Sequence, residues 1–180
     1  MTTQTKKGVL VPTKMSKPRE LFLHELGDVL YAERTLVKTL PKLQKEASDD
    51  ELALGFEEHL GETRQHVKNV EQAFEKLGEK PTAEKCPGIE GIKQEHDDFV
   101  AKESPSQDVL DSFLTGAGAR TEHYEIAAYE GLVTMAEAMG ETEVVDLLTE
   151  NLEQEKSALE KLNAIGKRLA QDGAQQQTRA

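Results

Sequence analysis

Two glutamates of the segment 121–129, Glu122 and Glu125, are the residues of this sequence best placed to do chemistry. They lie in a helical pattern whose apolar residues recur every three or four positions and so share one face. On that pattern Glu125 lies just inside the edge of the apolar stripe, and Glu122 and Tyr129 lie just beyond it on the same side. Burial of a carboxylate is costly unless an opposite charge or a metal ion compensates it. The predicted stripe consists of Leu110, Phe113, Leu114, Ala117, Thr121, Tyr124, Ala128, Leu132, Met135 and Met139.

Two other segments place a single glutamate in the middle of an apolar stripe, and their spacings are identical. Glu33 and Glu155 each follow a leucine by three residues and precede an aliphatic residue by four. A solvated charge does not need such a position, so we expect both side chains to point inward. The equal spacing indicates two pseudo-symmetric helical hairpins that contribute carboxylates to one centre. The two patterns are Leu26, Leu30, Glu33, Val37, Leu40 and Leu148, Leu152, Glu155, Leu159, Leu162.

A fourth helical segment adds His59, Glu62 and His66 on one flank of its apolar stripe. Glutamates and histidines that converge from four helices match the ligand set of a dinuclear carboxylate metal site. Two divalent cations would neutralise about four carboxylates, whereas without cations the acids would raise one another's pKa values. The candidate metal ligands are therefore Glu33, His59, Glu62, His66, Glu122, Glu125 and Glu155.

Simpler roles are open for each of these residues taken singly. A glutamate beside an apolar stripe could lie at its edge or form an ion pair with Arg120 or Lys156. His59 could be a core histidine with satisfied hydrogen bonds, and His66 could be solvated. The occurrence of inward acids on all the long helices favours the metal site.

Other reactive side chains have predicted structural roles. His123 points away from the stripe, so we expect it at the surface. Tyr124 and Tyr129 are expected to pack, although either hydroxyl could hydrogen-bond a ligand carboxylate. Cys86, beside a Pro-Gly pair, is expected to be a half-buried packing thiol rather than a redox group, and as the single cysteine it excludes an internal disulfide.

Length and composition favour one helical domain. The 180 residues suffice for a substantial core, and the abundance of Glu, Leu, Ala and Lys with no Trp favours an all-α protein. A formal charge of -12 argues against a nucleic-acid surface, although Lys6, Lys7 and Lys14 form a small basic arm. Because no apolar run is long enough for a membrane span or a secretory signal, we expect no membrane partner and a cytoplasmic location.

The helical patterns predict a ferritin-like four-helix bundle. Tight turns join the first to the second and the third to the fourth long helix, which makes two antiparallel hairpins. The long middle connection, residues 78–107, can span the bundle and carry a short fifth helix, and one such crossover is typical of the ferritin-like fold. Pro41 should kink or break the first helix. The predicted helices are 16–47, 48–77 (opened by a Ser48–Glu51 capping box), 89–101, 107–139 and 142–170, within a bundle of residues 16–171 flanked by a flexible extension 1–15 and tail 172–180.

At residues 122–129 the sequence resembles the ferritin-like YciE/YciF family of bacterial stress proteins. Four further stretches share the resemblance: Asp28 to Glu33, Phe56 to Thr63, Cys86 to Gly91, and Glu153 to Lys156. Together they cover roughly residues 18–170. The resemblance implies a rubrerythrin-like fold, two divalent metal ions with iron favoured and manganese as the alternative, and a homodimer.

The resemblance also assigns ligand roles, with departures. By position, the five candidate glutamates match the ligand carboxylates of a rubrerythrin-like site, in which a histidine usually follows a glutamate by three or four residues. After Glu62 only His66 satisfies that spacing, and His59 stands in inverted order. After Glu155 the positions hold Ala158 and Leu159, so the site is histidine-poor and one metal position is weak. No Cys-x2-Cys pair is present, which leaves out a rubredoxin-type iron centre.

Two functions of different class follow. The first is a dinuclear, iron-binding stress-response protein with oxidase or peroxidase activity. The second is a non-enzymatic helical bundle that acts as a structural dimer or binds a partner protein. Iron storage in a multisubunit cage is a weaker third hypothesis, because it needs a large shell.

Overall fold

The computed structural model describes residues 15–177, and in that range the chain is all-helical with no strand. Four long helices and one shorter helix in the crossover confirm the predicted fold class. Residues 1–14 and 178–180 lie outside the described range, so the predicted flexible extension and residues 178–180 of the predicted tail remain predictions, whereas residues 172–177 of that tail belong to a helix. The helices are α1 (Pro18–Glu46), α2 (Asp50–Lys76), α3 (Pro87–Glu103), α4 (Gln107–Met139) and α5 (Thr142–Gln177).

The long helices form a ring in which α1 contacts α2 and α4, and α5 contacts the same two helices. Helices α2 and α4 lie diagonally, and their N-terminal ends meet where the Ser48 backbone N–H and hydroxyl donate to Asp111 at 2.9 and 2.6 Å. The long crossover with α3, which packs on α4, therefore sets α2 and α4 parallel. None of the described helices combines the length and apolar character required to cross a membrane.

The core consists of two apolar clusters, one towards each end of the bundle. One contains Phe22, Leu26, Phe74 and Leu132 among others, and the other is built around residues 36–60, 110–114 and 162–165. In each long helix the candidate metal ligands fall near the boundary between the residues of these two clusters. The fold thus places a polar layer midway along the bundle with apolar side chains above and below it.

Helix ends and interruptions differ from the predictions in three places. Asp49, not Ser48, caps α2 by accepting a hydrogen bond from the Leu52 N–H at 3.0 Å, because Ser48 is engaged by Asp111. Pro41 does not break α1, which continues to Glu46. Burial of Leu40 and packing of Leu43 against the second cluster on either side of the proline offset the lost backbone hydrogen bond. Helix α5 continues to Gln177, beyond its predicted end at residue 170.

The buried face of α4 is rotated relative to the predicted stripe. Glu122 and Tyr129 lie on that face, 3% and 0% exposed, rather than beyond its edge. The reason is that α4 packs against three helices, α1, α3 and α5, so its buried surface is wider than one stripe. Gly118 permits the close approach to α5, since a Cβ there would lie 2.9 Å from Leu162 Cδ1.

Replacement of Gly27 by alanine should destabilise the protein by about 1 to 3 kcal/mol. A Cβ at this position of α1 would lie 2.7 Å from the Thr82 carbonyl oxygen, whose backbone is held nearby by the Glu84 N–H to Gly27 carbonyl hydrogen bond of 2.9 Å. The matched control is Gly131→Ala in α4, where a Cβ meets nothing within 4 Å. It should stabilise the protein by about 0.5 to 1 kcal/mol. Urea unfolding measures both changes, and equal effects at the two positions would contradict the assigned close approach.

Candidate metal centre

Six predicted ligands, contributed by four helices, converge in the polar layer. They are Glu33 on α1, His59 and His66 on α2, Glu122 and Glu125 on α4, and Glu155 on α5. All six side chains belong to buried residues. The expectation that inward acids on separate helices share one centre is therefore met by the geometry.

The six side chains form two groups that share Glu155. In each group one ligand atom per residue lies within 4.8 Å of the others. One group contains His59, Glu122, Glu125 and Glu155, and the other contains Glu33, His66 and Glu155. Each of these two groups, which share the Glu155 carboxylate, could hold a metal ion.

The histidines approach the shared carboxylate from either side. His66 Nδ1 lies 2.9 Å from Glu155 Oε1 and 3.4 Å from Glu33 Oε1. His59 Nε2 lies 3.6 Å from Glu155 Oε2 and 3.6 Å from Glu122 Oε1. The sequence left open which histidine of α2 faces the site, and the structure places one in each group.

Other contacts fix which ring nitrogen faces the centre. His59 Nδ1 lies 3.1 Å from Glu62 Oε2, so its Nε2 faces the glutamates. His66 Nε2 lies 2.7 Å from Gln154 Oε1, and this contact leaves Nδ1 directed inward. Metal-binding histidines in proteins are commonly held in this way by a carboxylate or amide on the outer nitrogen.

Glu62, the seventh predicted ligand, belongs to neither group. Its side chain is 29% exposed and contacts the outer nitrogen of His59. The hydrogen bond from His59, assisted by the charge of Lys161, lowers the pKa of Glu62, although partial burial opposes this. The structure thus separates Glu62 from the other glutamates by depth and by its hydrogen-bonding partner.

The buried carboxylates have many oxygens without a hydrogen-bond partner. Within residues 15–177 these are both oxygens of Glu125 and of Glu155, and the Oε2 atoms of Glu33 and Glu122. The alternative ion-pair partners, Arg120 and Lys156, bind the surface acids Glu95 and Glu153 at 3.1 and 2.9 Å. Unpartnered buried carboxylates are strongly unfavourable. Within residues 15–177 no lysine or arginine pairs with these four glutamates, so the compensation that this part of the chain supplies is limited to the histidines, with His66 Nδ1 2.9 Å from Glu155 Oε1.

The donor set fits two divalent cations. Four glutamates with four formal negative charges balance two such ions, and two imidazoles complete the set. Carboxylate and imidazole ligands suit iron, manganese and zinc, and no thiolate lies in either group. The four carboxylates and the two imidazoles are therefore groups that could hold a metal ion.

The electrostatics of the protein groups alone favour bound protons on three of the glutamates. Burial raises the pKa values of Glu122 and Glu125, and the charge of Glu155 raises them further. Burial also raises the pKa of Glu33. The pKa of Glu155 is lowered because His66 and His59 outweigh its burial. Although burial opposes its charge, Glu155 and Glu33 raise the pKa of His66 to about 10.

A chain of buried polar side chains links the site to the α2–α5 surface. Tyr129 donates its hydroxyl hydrogen to Glu33 Oε1, and the same hydroxyl accepts from Asn151 Nδ2 at 2.9 Å. Asn69 donates to Asn151 at 2.8 Å, and Gln65 donates to Asn69 at 2.8 Å. Every hydrogen bond in this series is donated in the direction of Glu33. The Tyr129 hydroxyl therefore occupies Oε1 of Glu33 and leaves Oε2 without a hydrogen-bond partner.

The amides of this chain were missed by the sequence reasoning. Asn151 stands one helical turn before Glu155, and Asn69 stands three residues after His66. An inward polar residue one turn from a predicted ligand is the signal that could have identified them. The predicted possibility that a tyrosine hydroxyl bonds a ligand carboxylate is realised by Tyr129 rather than Tyr124.

Cys86 is fully buried, not half-buried as expected. Its Sγ accepts from the Ile89 N–H at 3.4 Å at the start of α3 and lies 3.0 Å from the Tyr124 hydroxyl, which donates to Asp28 at 3.1 Å. Burial raises the pKa of the thiol. These contacts support a packing role, and His123 is exposed as predicted.

Comparison with known proteins gives consistent matches over most of the chain. A family model described as a domain of unknown function (DUF892) matches residues 17–175. Protein YciF of Escherichia coli is 35% identical over 152 residues, which cover 84% of this chain and 91% of that protein. The crystal structure of the E. coli stress protein YciF matches with a TM-score of 0.83 at 33% identity, covering 87% of this chain and 99% of that chain. YcfI, a candidate structural protein from Rhodopseudomonas palustris, matches with a TM-score of 0.80 at 39% identity, covering 82% and 94%.

The metal-free protein should lose stability as the pH rises from about 5 to about 8. Glu122, Glu125 and His66 have raised pKa values in the folded state, so the folded protein binds more protons than the unfolded chain in this window. Removal of those protons lowers the free energy of unfolding. The lowered pKa of Glu155 acts in the opposite sense, but only below the window, near its unfolded pKa of about 4.3.

Urea unfolding in the presence of a chelator measures this dependence. Replacement of both Glu122 and Glu125 by glutamine should stabilise the metal-free protein at the upper end of the window and flatten the pH profile. A wild-type stability that increases with pH across the window would show that these acids are not held together in a dry site.

Proposed function

The chain belongs to the DUF892 family and is a relative of YciF, and we propose that it is a stress-response protein built around a dinuclear metal centre. The observation that supports this most is the set of unpartnered oxygens on four buried glutamates. A bundle that served only to pack would have no reason to place Glu33, Glu122, Glu125 and Glu155 together, because uncompensated carboxylates oppose folding.

Iron is the metal we propose, with manganese as the alternative. The donor set suits either ion, and the resemblance to rubrerythrin-like proteins favours iron. Glu155 would contact both ions, His59 with Glu122 and Glu125 would hold one, and His66 with Glu33 would hold the other. A bound pair of ferrous ions would supply two electrons to peroxide or dioxygen, becoming ferric, and an external reductant would restore it. The activity we propose is therefore that of an oxidase or peroxidase.

The surrounding residues prepare the site for such ions. The outer contacts to Glu62 and Gln154 orient the two imidazoles before a metal arrives. Tyr129 holds Glu33 so that its second oxygen remains available. The apolar clusters above and below exclude water, which strengthens the attraction between the carboxylates and a cation.

We also propose that the protein is cytoplasmic, that it does not bind nucleic acid and, on the resemblance, that it forms a homodimer. The net charge of -12 supports the last point, because a nucleic-acid surface requires a basic patch. The second candidate function is a non-enzymatic bundle in which the metal stabilises the fold. The absence of a histidine after Glu155 favours it, as does the match to YcfI.

Metal content tests the centre. The wild-type protein should bind about two ions per chain. Glu155→Ala should lose both ions because both groups contain that residue, whereas Glu33→Ala should retain about one ion in the group it does not enter. Glu153→Ala, a neighbour of Glu155 with a side chain 65% exposed, is the control and should bind as the wild type does. Elemental analysis after reconstitution measures all four proteins, and unchanged stoichiometry in Glu155→Ala would exclude the assigned site.

Consumption of hydrogen peroxide separates the enzymatic from the structural function. Iron-reconstituted protein with a reductant should consume peroxide faster than the same amount of free iron, and Glu155→Ala should lose this excess. If the wild type binds two ions and thermal stability rises on binding, but peroxide consumption does not exceed the free-iron rate, the structural alternative holds.

A further inference from the structure

One cleft between α2 and α5 extends from the protein surface to the candidate metal centre. Its outer wall includes Lys161, whose side chain is 47% exposed, and its inner wall includes His59 and Glu122. The remaining walls are mostly apolar, with Phe56, Leu162 and Ile165 among them. The cleft thus reaches the group that contains His59 and Glu122.

The deeper ligands do not line this cleft. Glu33, His66 and Glu155 are each 0% exposed, and none of them belongs to the cleft wall. An ion that enters through the cleft would therefore meet His59 and Glu122 first and reach Glu155 through them. The second group lies behind the shared carboxylate.

Glu62 lies in the wall of the same cleft, in contact with His59 and close enough to Lys161 to be affected by its charge. It is the one predicted ligand outside both groups, it is partly exposed, and its Oε2 is 3.1 Å from His59 Nδ1. Its position thus differs from that of a resident ligand. It offers a carboxylate at the depth where a cation must begin to exchange water for protein oxygens.

We infer that this cleft is the entry route for divalent cations, that Glu62 is a transient ligand on that route, and that Lys161 restricts entry. The inference rests on the proposed metal centre and concerns how the centre is filled. Glu62 attracts the cation and binds it briefly before His59 and Glu122 take it over. Lys161 opposes the approach of a cation by its own charge, and Glu58, 3.2 Å from its Nζ, holds the ammonium group at the cleft.

The charges at the cleft decide whether removal of a side-chain charge slows or accelerates the uptake of a cation. A cleft with apolar walls concentrates the field of the few charges in it, and such fields change association rates by about 10-fold to 1,000-fold. Loss of the negative charge of Glu62 should therefore slow uptake, and loss of the positive charge of Lys161 should accelerate it. Both effects should shrink at high ionic strength, because salt screens charges near the surface.

The test is the rate at which metal-free protein takes up Co²⁺, followed by its absorption in a stopped-flow instrument. Glu62→Gln, whose amide oxygen can still accept a hydrogen bond from His59 Nδ1 and keep the imidazole oriented, should slow uptake about tenfold. Lys161→Met should accelerate uptake about threefold and leave the number of ions bound at equilibrium unchanged. The matched controls are Glu153→Gln and Lys156→Met, which alter exposed charges of α5 outside the cleft wall and should leave the rate within twofold of the wild type.

Each outcome is decisive. Loss of a bound ion in Glu62→Gln would make Glu62 a resident ligand and overturn the inference. Unchanged rates in both cleft variants, in proteins whose urea unfolding matches the wild type, would place the entry route elsewhere. A wild-type protein that binds no Co²⁺, iron or manganese would instead remove the proposed centre itself, and this result is distinct from the other two.

Discussion

The structure depends on keeping four carboxylates together out of water. Burial of one uncompensated carboxylate opposes folding, and each additional negative charge raises the cost. Glu33, Glu122, Glu125 and Glu155 nevertheless occupy the middle of the bundle, and within the described residues no lysine or arginine forms an ion pair with them. This arrangement is stable only if protons or cations neutralise it, and the two groups of buried histidines and glutamates could hold a metal ion.

The rest of the fold surrounds that layer, isolates it from water and sets the positions of its helices. Apolar clusters towards both ends of the bundle supply the burial that stabilises the helices and at the same time isolate the site from water. The crossover sets α2 and α4 parallel, so that histidines from one and glutamates from the other face the shared Glu155. Caps and close contacts at the ends, such as Asp111 at the start of α2, set the axial register on which the layer depends.

Around the ligands, polar side chains restrict orientation more than they add charge. The amide chain from Gln65 to Asn151 ends on the Tyr129 hydroxyl, which has a single hydrogen to donate and gives it to Glu33. In the same way, Glu62 orients the imidazole of His59 and Gln154 orients that of His66. These contacts hold the remaining carboxylate and imidazole atoms so that they face one another, as outer contacts do at metal sites.

Much of this was accessible from the sequence because helical periodicity and burial are local properties. Identical spacing around Glu33 and Glu155 identified two inward glutamates, and loop lengths predicted the bundle and its crossover. The position of Tyr129, the depth of Cys86 and the separation of Glu62 from the other glutamates were not accessible, since each depends on how many neighbours a helix has and how far it is rotated. Asn151 and Asn69 were overlooked for the same reason. The role of a single amide within an apolar pattern can be recognised only when the hydrogen-bond partner on another helix is known. The sequence therefore determined which helices form and which acids turn inward, whereas the tertiary structure decided which atoms share a site, because only packing between helices sets distances across the chain.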